Sequence, residues 1–179
     1  MAKGATQNKM IYKNTPKPKN TYAKILALVC ILTGAALFIL ANVGIFPAPA
    51  VPQLVGLIFI TVSIYTASAF LLRQYTFSLD LNTSGERDGI DFIVTERKGK
   101  RDVTVCRFGI DDIVAVREVN AQNKKQVNAE REKMKRYTYD TAFIAPRRIE
   151  LICKLDDDDF SILVTYDEQL LAELKKLGK

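Results

Sequence analysis

The chain has 179 residues, with 26 Lys and Arg against 20 Asp and Glu, three Cys and no His, for a formal net charge of +6. Lacking histidine, it has no Ser-His-Asp triad, no Cys-His nucleophile and no His-ligated zinc site, which removes most familiar hydrolase chemistry and leaves open a carboxylate-only or lysine-based enzyme. The charge is unevenly placed: six lysines (Lys3, Lys9, Lys13, Lys17, Lys19, Lys24) precede residue 25 with no acid among them, while residues 73–179 balance 20 basic by 20 acidic side chains.

Residues 1–24 read as a basic cytosolic tail. Between residues 25 and 72 there is no charged side chain at all. A bilayer core needs about 20 helical residues, so this block is too long for one span and fits two. Pro47, Pro49 and Pro52 break it, because proline lacks a backbone donor and clashes with the preceding helical turn. The expectation is a transmembrane helical hairpin over 25–72, with spans at 25–45 and 53–72 and a short loop between. Lys13, Lys17, Lys19 and Lys24 before the hairpin, and Arg73 after it, place both termini in the cytosol of a multi-pass protein of the cell (inner) membrane. A basic excess confined to a tail beside an apolar block points to topology and anionic lipid, not to nucleic acid. A cleaved signal peptide is the competing reading; the long leader, the long apolar core and the flanking prolines argue against it. Gly34, Ala35 and Ala36 in the first span, and Gly56, Ser63 and Ala67 on one face of the second, supply the small residues that let helices approach closely, within one chain or between two copies. Thr61, Tyr65 and Ser68 are uncharged, so nothing there marks an ion or proton path.

From Tyr75 the apolar period changes to two, as in strands with one buried face. Seven strands are expected: Tyr75, Phe77 and Leu79; Phe92 and Val94; Val103 and Val105 against Cys106 and Phe108; residues 113–119; residues 136–143; Ile149, Leu151, Cys153 and Leu155 with Glu150 and Lys154 on the opposite face; and residues 160–165. A terminal helix follows, with Thr165 and Glu168 at capping-box spacing and Leu170, Leu171, Leu174 and Leu177 on one stripe fit to plug an open sheet.

Two spans, then the segment Phe92 to Arg107 (FIVTERKGKRDVTVCR) and a further strand opening Asp112-Ile-Val-Ala-Val, resemble the bacterial two-pass membrane proteins with a cytosolic PH-like domain. The resemblance covers the hairpin and residues 75–178. It implies an α+β chain in which the hairpin is followed by a PH-like seven-stranded antiparallel β-barrel or sandwich with a C-terminal α-helix (residues 73–179), at the membrane, in a binding or assembly role. Eukaryotic PH domains that read phosphoinositides carry basic residues between their first two strands; here residues 82–89 hold Glu86, Arg87 and Asp88, so that recognition does not carry over.

Two groups of residues are candidates for contact. Arg97, Lys98, Lys100 and Arg101 surround Gly99 at a hairpin tip, where they would meet phosphate headgroups or a partner, or simply keep the tip solvated. Residues 120–136 lack a wide apolar face and read as a long insertion, either a mobile loop or a solvent-exposed helical arm that docks a partner, carrying Lys124, Lys125, Arg131, Lys133, Lys135 and Arg136. Residues 156–159 form a polar turn without the ligand alternation of a calcium loop, and Cys106 and Cys153 sit among apolar strand neighbours as small buried hydrophobes. No catalytic residue, metal site, cofactor or small-molecule substrate is indicated. The expected function is a membrane-anchored binding or scaffolding module, not an enzyme, whose partners are the bilayer and another protein or a second copy. The alternatives are an anionic-lipid sensor and an enzyme using Asp and Lys in a cleft.

Overall fold

A computed structural model describes residues 10–17, 20–82, 89–132, 134–155 and 158–177. Glu86, Arg87 and Asp88, Lys133, and Asp156 and Asp157 lie outside the described residues, as do residues 1–9 of the tail. The chain divides into two compact units, a helical one built from residues 19–73 and 141–144, and a β unit from the rest.

The helical unit contains α1 (Thr21–Asn42) and α2 (Ala50–Phe70), both long and apolar enough to cross a membrane. The first begins and ends a few residues earlier than expected. It stops where Val43 caps it and Gly44 adopts a left-handed φ of 81°, a conformation that costs glycine nothing. Pro49 stands at the start of α2 and Pro52 in its first turn, where the missing N–H has no intrahelical partner to lose. The two helices pack on each other through small residues. A Cβ on Gly34 would come within 2.8 Å of the Gly56 carbonyl oxygen, and one on Gly56 within 2.9 Å of the Gly34 oxygen. Ser63 Oγ donates to the Ala27 carbonyl at 2.7 Å, so a polar group on the seam is satisfied. The other faces expose Leu28, Leu32, Ile39, Leu54, Ile58 and Ile64.

Segment 141–144 belongs to this unit through Asn20, which is 7% exposed. Its amide donates to the carbonyls of Phe70 at 2.5 Å and Thr141 at 2.7 Å, and its oxygen accepts the Phe143 N–H at 3.0 Å. The Phe70 and Phe143 rings meet edge to face at 5.1 Å.

The β unit holds two four-stranded sheets. One has the order β1 (Met10–Asn14), β2 (Arg73–Asn82), β3 (Gly89–Lys98), β4 (Arg101–Gly109). The other has the order β5 (Ile113–Asn120), β7 (Arg147–Leu155), β8 (Asp158–Thr165), β6 (Lys135–Tyr139), with α3 (Lys124–Arg131) between β5 and β6 in the chain and α4 (Glu168–Leu177) last. The expectation of seven strands, all antiparallel, is corrected twice. Residues 10–14, read as tail, pair with β2, and β6 lies parallel to β8. Among the described residues no pairing joins the two sheets, so the sandwich is open and not a closed barrel.

The core fills the space between the sheets with Phe77, Leu79, Phe92, Val94, Ile149, Leu151, Cys153, Ile162 and Val164, each fully buried. Phe92 meets Phe108 at 5.3 Å, and Phe108 meets Phe160 on the other sheet at 6.2 Å, which ties the two layers together. Leu170, Leu171 and Leu174 of α4 join this core, as the leucine stripe requires. The cap differs from expectation: Asp167, not Thr165, accepts the backbone N–H groups of Gln169 and Leu170 at 2.9 and 3.0 Å.

Candidate functional site

The basic hairpin tip folds as its glycine dictates. Gly99, at φ 65°, turns β3 into β4, with Lys98 opposite Arg101 and Arg97 opposite Asp102. Arg97 grips Asp102 through two bonds of 2.6 and 2.8 Å. That contact holds the Asp102 carboxyl below its usual range and pushes the Arg97 guanidinium up. Lys98, Lys100 and Arg101 are exposed, and no acidic side chain pairs with them among the described residues. One of the four cations is thus neutralised within the fold, and the other three have no acidic partner among the described residues.

Within residues 120–136, Lys124–Arg131 form a helix, as the helical-arm reading allowed, but one face of it is buried instead of standing clear in solvent. Asn120 and Asn123 bracket the turn, Asn120 accepting the N–H groups of Gln122 and Asn123 while Asn123 accepts that of Asn120. The helix α3 that follows packs on the outer face of the second sheet, where Val127 closes a small cluster with Val119 and Leu163. Arg131 lies one turn after Val127 and is buried with it. Glu150, placed by sequence on an open face, is fully buried beneath this helix. Its carboxylate accepts from Arg117, from Ser161 at 2.5 Å, and pairs with Arg131 at 3.2 Å. Burial pulls Arg131 below its ordinary pKa; Glu150 opposes this, and Arg136, Arg148 and Arg117 add to it. Burial also lowers Arg117, but its bonds to Glu150 and Glu130 outweigh this and raise it. Lys124 and Lys125 are exposed at the start of α3, Lys135 pairs with Asp158, and Arg136 donates to the Arg131 carbonyl at 2.8 Å.

An apolar groove of about 710 Å³ opens where the two sheets part, between the edge strands β4 and β6. Val105, Tyr137, Tyr139, Leu155 and Phe160 form its walls, and Arg107 and Lys135 stand among the lining residues. Tyr139 Oη reaches the Val105 carbonyl at 3.5 Å and stacks edge to face on Tyr75 at 5.5 Å, which shuts the inner end. Val105 has no partner in the β3–β4 register, because Val94 faces Cys106 and the next residue, Thr95, faces Thr104. It is therefore a bulge, and the bulge explains why the apolar alternation of this strand changes phase between Val105 and Cys106. Cys106 is half-buried on the groove wall and its thiol is pushed up by burial; Cys153 is fully buried and raised to about 12 by the same cause.

The structure separates the sequence candidates. Lys135 lines the groove, Lys124 and Arg131 line a second, smaller cavity, and the tip cations stand at the head of β4. Sequence reading missed Tyr137, Leu155 and Phe160, whose common surface comes from three strands. The one available signal was exposure of large apolar side chains at strand ends, which a period-two pattern does not show. No family model, curated protein or solved structure matches the chain.

Proposed function

We propose that the chain is a two-pass membrane protein, of the bacterial inner-membrane kind with a PH-like domain, and that its β unit is a binding module for an extended acidic segment of another protein. Two helices with apolar outer faces support the anchor, since those faces have no cover within their own unit. The lysine asymmetry supports cytosolic termini.

The observation that carries the binding role is the gap between β4 and β6. Both are edge strands, so each offers a row of backbone N–H and C=O groups beside an apolar floor. An alkyl chain in that gap would strip water from those groups without replacing their bonds, whereas an added strand pairs with them. The bulge at Val105 blunts β4, which leaves β6 as the template. The exposed tip cations Lys98, Lys100 and Arg101, at the head of β4, favour acidic residues in the incoming strand, whereas Arg107 on the groove wall is already paired with Asp91. The tip cations also favour a second reading, in which they orient the domain on anionic lipid at about 1 kcal/mol each before screening.

The test is amide hydrogen exchange on the full chain in neutral micelles, with an acetylated heptapeptide alternating Glu and Val as probe. Slowed exchange confined to Lys135 through Tyr139 is expected. Protection that appears without peptide and grows with protein concentration would identify a second copy as the strand donor. Unchanged exchange at β6 at saturating peptide would remove the reading.

A further inference from the structure

The second cavity is small, about 140 Å³, and lies between the start of α3 and the neighbouring strands β5, β7 and β8. Lys124, Asn128 and Arg131 of α3, Asn120 after them in space, and Arg148 of β7 supply its polar lining, over a floor that includes Leu163. At about 30 Å³ per water it has the room of four or five waters, too little for a nucleotide or sugar ring but enough for one tetrahedral oxyanion.

Its charges do not balance. Around it and the adjoining network stand five cations, Arg117, Arg131, Arg136, Arg148 and Lys124. Three acids answer them: Glu130 and Glu150 serve Arg117 and Arg131, and Asp140, which is 1% exposed, is taken by Arg148 at 2.6 Å. Arg131, whose side chain is 8% exposed, must share Glu150 with Arg117 and sits in the repulsive field of three further guanidinium groups. The Asn120 side-chain oxygen is occupied by the N–H groups of Gln122 and Asn123, which leaves its NH₂ as the group available to a ligand. Of the cations that line the cavity, Arg131 and Arg148 are paired with Glu150 and Asp140, and Lys124 has no acid partner among the described residues; one unpaired cation beside amide donors, backed by a network in which five cations face three acids, suits an oxyanion such as a phosphate monoester.

We infer that this cavity is a phosphate site, taking inorganic phosphate or the terminal phosphomonoester of a small molecule or lipid headgroup. The site is independent of the groove: it lies on the outer face of the second sheet, and β6 contributes none of its lining. Lys124 is exposed, so it is free to fold over a bound anion, and its loss leaves the packed network intact.

The experiment titrates the full chain in neutral micelles with sodium phosphate, against sodium acetate at matched ionic strength, and follows phosphate line broadening by ³¹P NMR. A second arm replaces free phosphate with nanodiscs containing phosphatidic acid, using phosphatidylcholine discs as reference. Saturable phosphate binding is expected, weakened at least fivefold by Lys124→Ala and by Asn128→Leu and unchanged by Lys125→Ala. Lys125 serves as control because it neighbours Lys124 in sequence without lining the cavity. Binding only to phosphatidic acid, with the same variant pattern, assigns the phosphate to a lipid headgroup. Equal weakening by Lys125→Ala, or no binding in either arm, overturns the site. All three variants alter exposed side chains, so a lost signal does not report misfolding.

Discussion

Replacing Glu150 with Leu removes the anion on which Arg117, Arg131 and Ser161 converge beneath α3. The two arginines fare differently. Arg117 keeps Glu130 and is 28% exposed, so it can turn toward water; Arg131 is 8% exposed and has no other acid within bonding distance among the described residues. Stranding one partner of a buried ion pair costs about 3–5 kcal/mol, a large share of the roughly 5–15 kcal/mol that holds a domain together. The double variant Glu150→Leu with Arg131→Met should recover most of this, because an apolar pair of similar volume asks for no desolvation. Cys153 reports the outcome: it is fully buried and its thiol is raised to about 12, so a thiol reagent reaches it only on unfolding. In full-length protein with Cys30 and Cys106 replaced by Ala, the denaturant midpoint for Cys153 labelling should fall sharply in the single variant and return in the double. An unfolding free energy from that midpoint within a few tenths of a kcal/mol of the parent for Glu150→Leu would refute the idea that this ion network holds α3 in place.

The buried thiol and phenols also set a pH dependence. Cys153 is raised from 9 to about 12 and Tyr12 from 10 to about 12, both chiefly by burial, and Tyr139 is raised as well. Groups raised in the folded state contribute fully below their unfolded pKa and lose that contribution as pH rises through the folded one. Stability of the β unit should therefore be flat up to about pH 9 and fall between about pH 9 and 12, with Cys153→Ala flattening the first part of the decline. Gly34→Leu would drive a side chain into the Gly56 carbonyl, and denaturant titration of a fluorophore on the 43–49 loop should register a separated hairpin; an unchanged transition would place the seam elsewhere. Asn20→Ala leaves the Phe143 N–H without its acceptor, a loss of about 1–3 kcal/mol that should appear as faster amide exchange at Phe143 alone. Leu174→Asp puts a charge at a site 1% exposed in the core, so the unfolding free energy read from Cys153 labelling should drop by several kcal/mol; no drop would mean α4 is peripheral.

What could be read from sequence followed signal strength. The hairpin was legible because absence of charge over residues 25–72 and three clustered prolines are each strong and agree with one another. Most strands were legible for the same kind of reason, and even the bulge at Val105 left its mark as a phase change. The tail strand β1 was not, since of its five residues only Tyr12 packs against the core. Helix α3 was foreseen only as one of two options, a solvent-exposed arm; its packing was missed because one valine and one arginine make its buried face, and the arginine is held by an acid from a distant strand. The parallel pairing of β6 with β8 is a property of topology, which no local pattern encodes. The candidate sites were least legible: the tip cations are contiguous in sequence, but the groove and the cation-rich cavity are assembled from elements far apart in the chain.

The measurement that bears most directly on a membrane hairpin presenting a cytosolic β unit is thiol accessibility in intact cells. Single cysteines would be placed at Ala48, in the loop between α1 and α2, and at Lys100, in the basic tip, with Cys30, Cys106 and Cys153 replaced by Ala. An impermeant maleimide should label Ala48→Cys from outside and should reach Lys100→Cys only after permeabilisation. Labelling of Lys100→Cys in intact cells, or of neither position until cells are opened, would contradict the two-pass anchor with cytosolic termini.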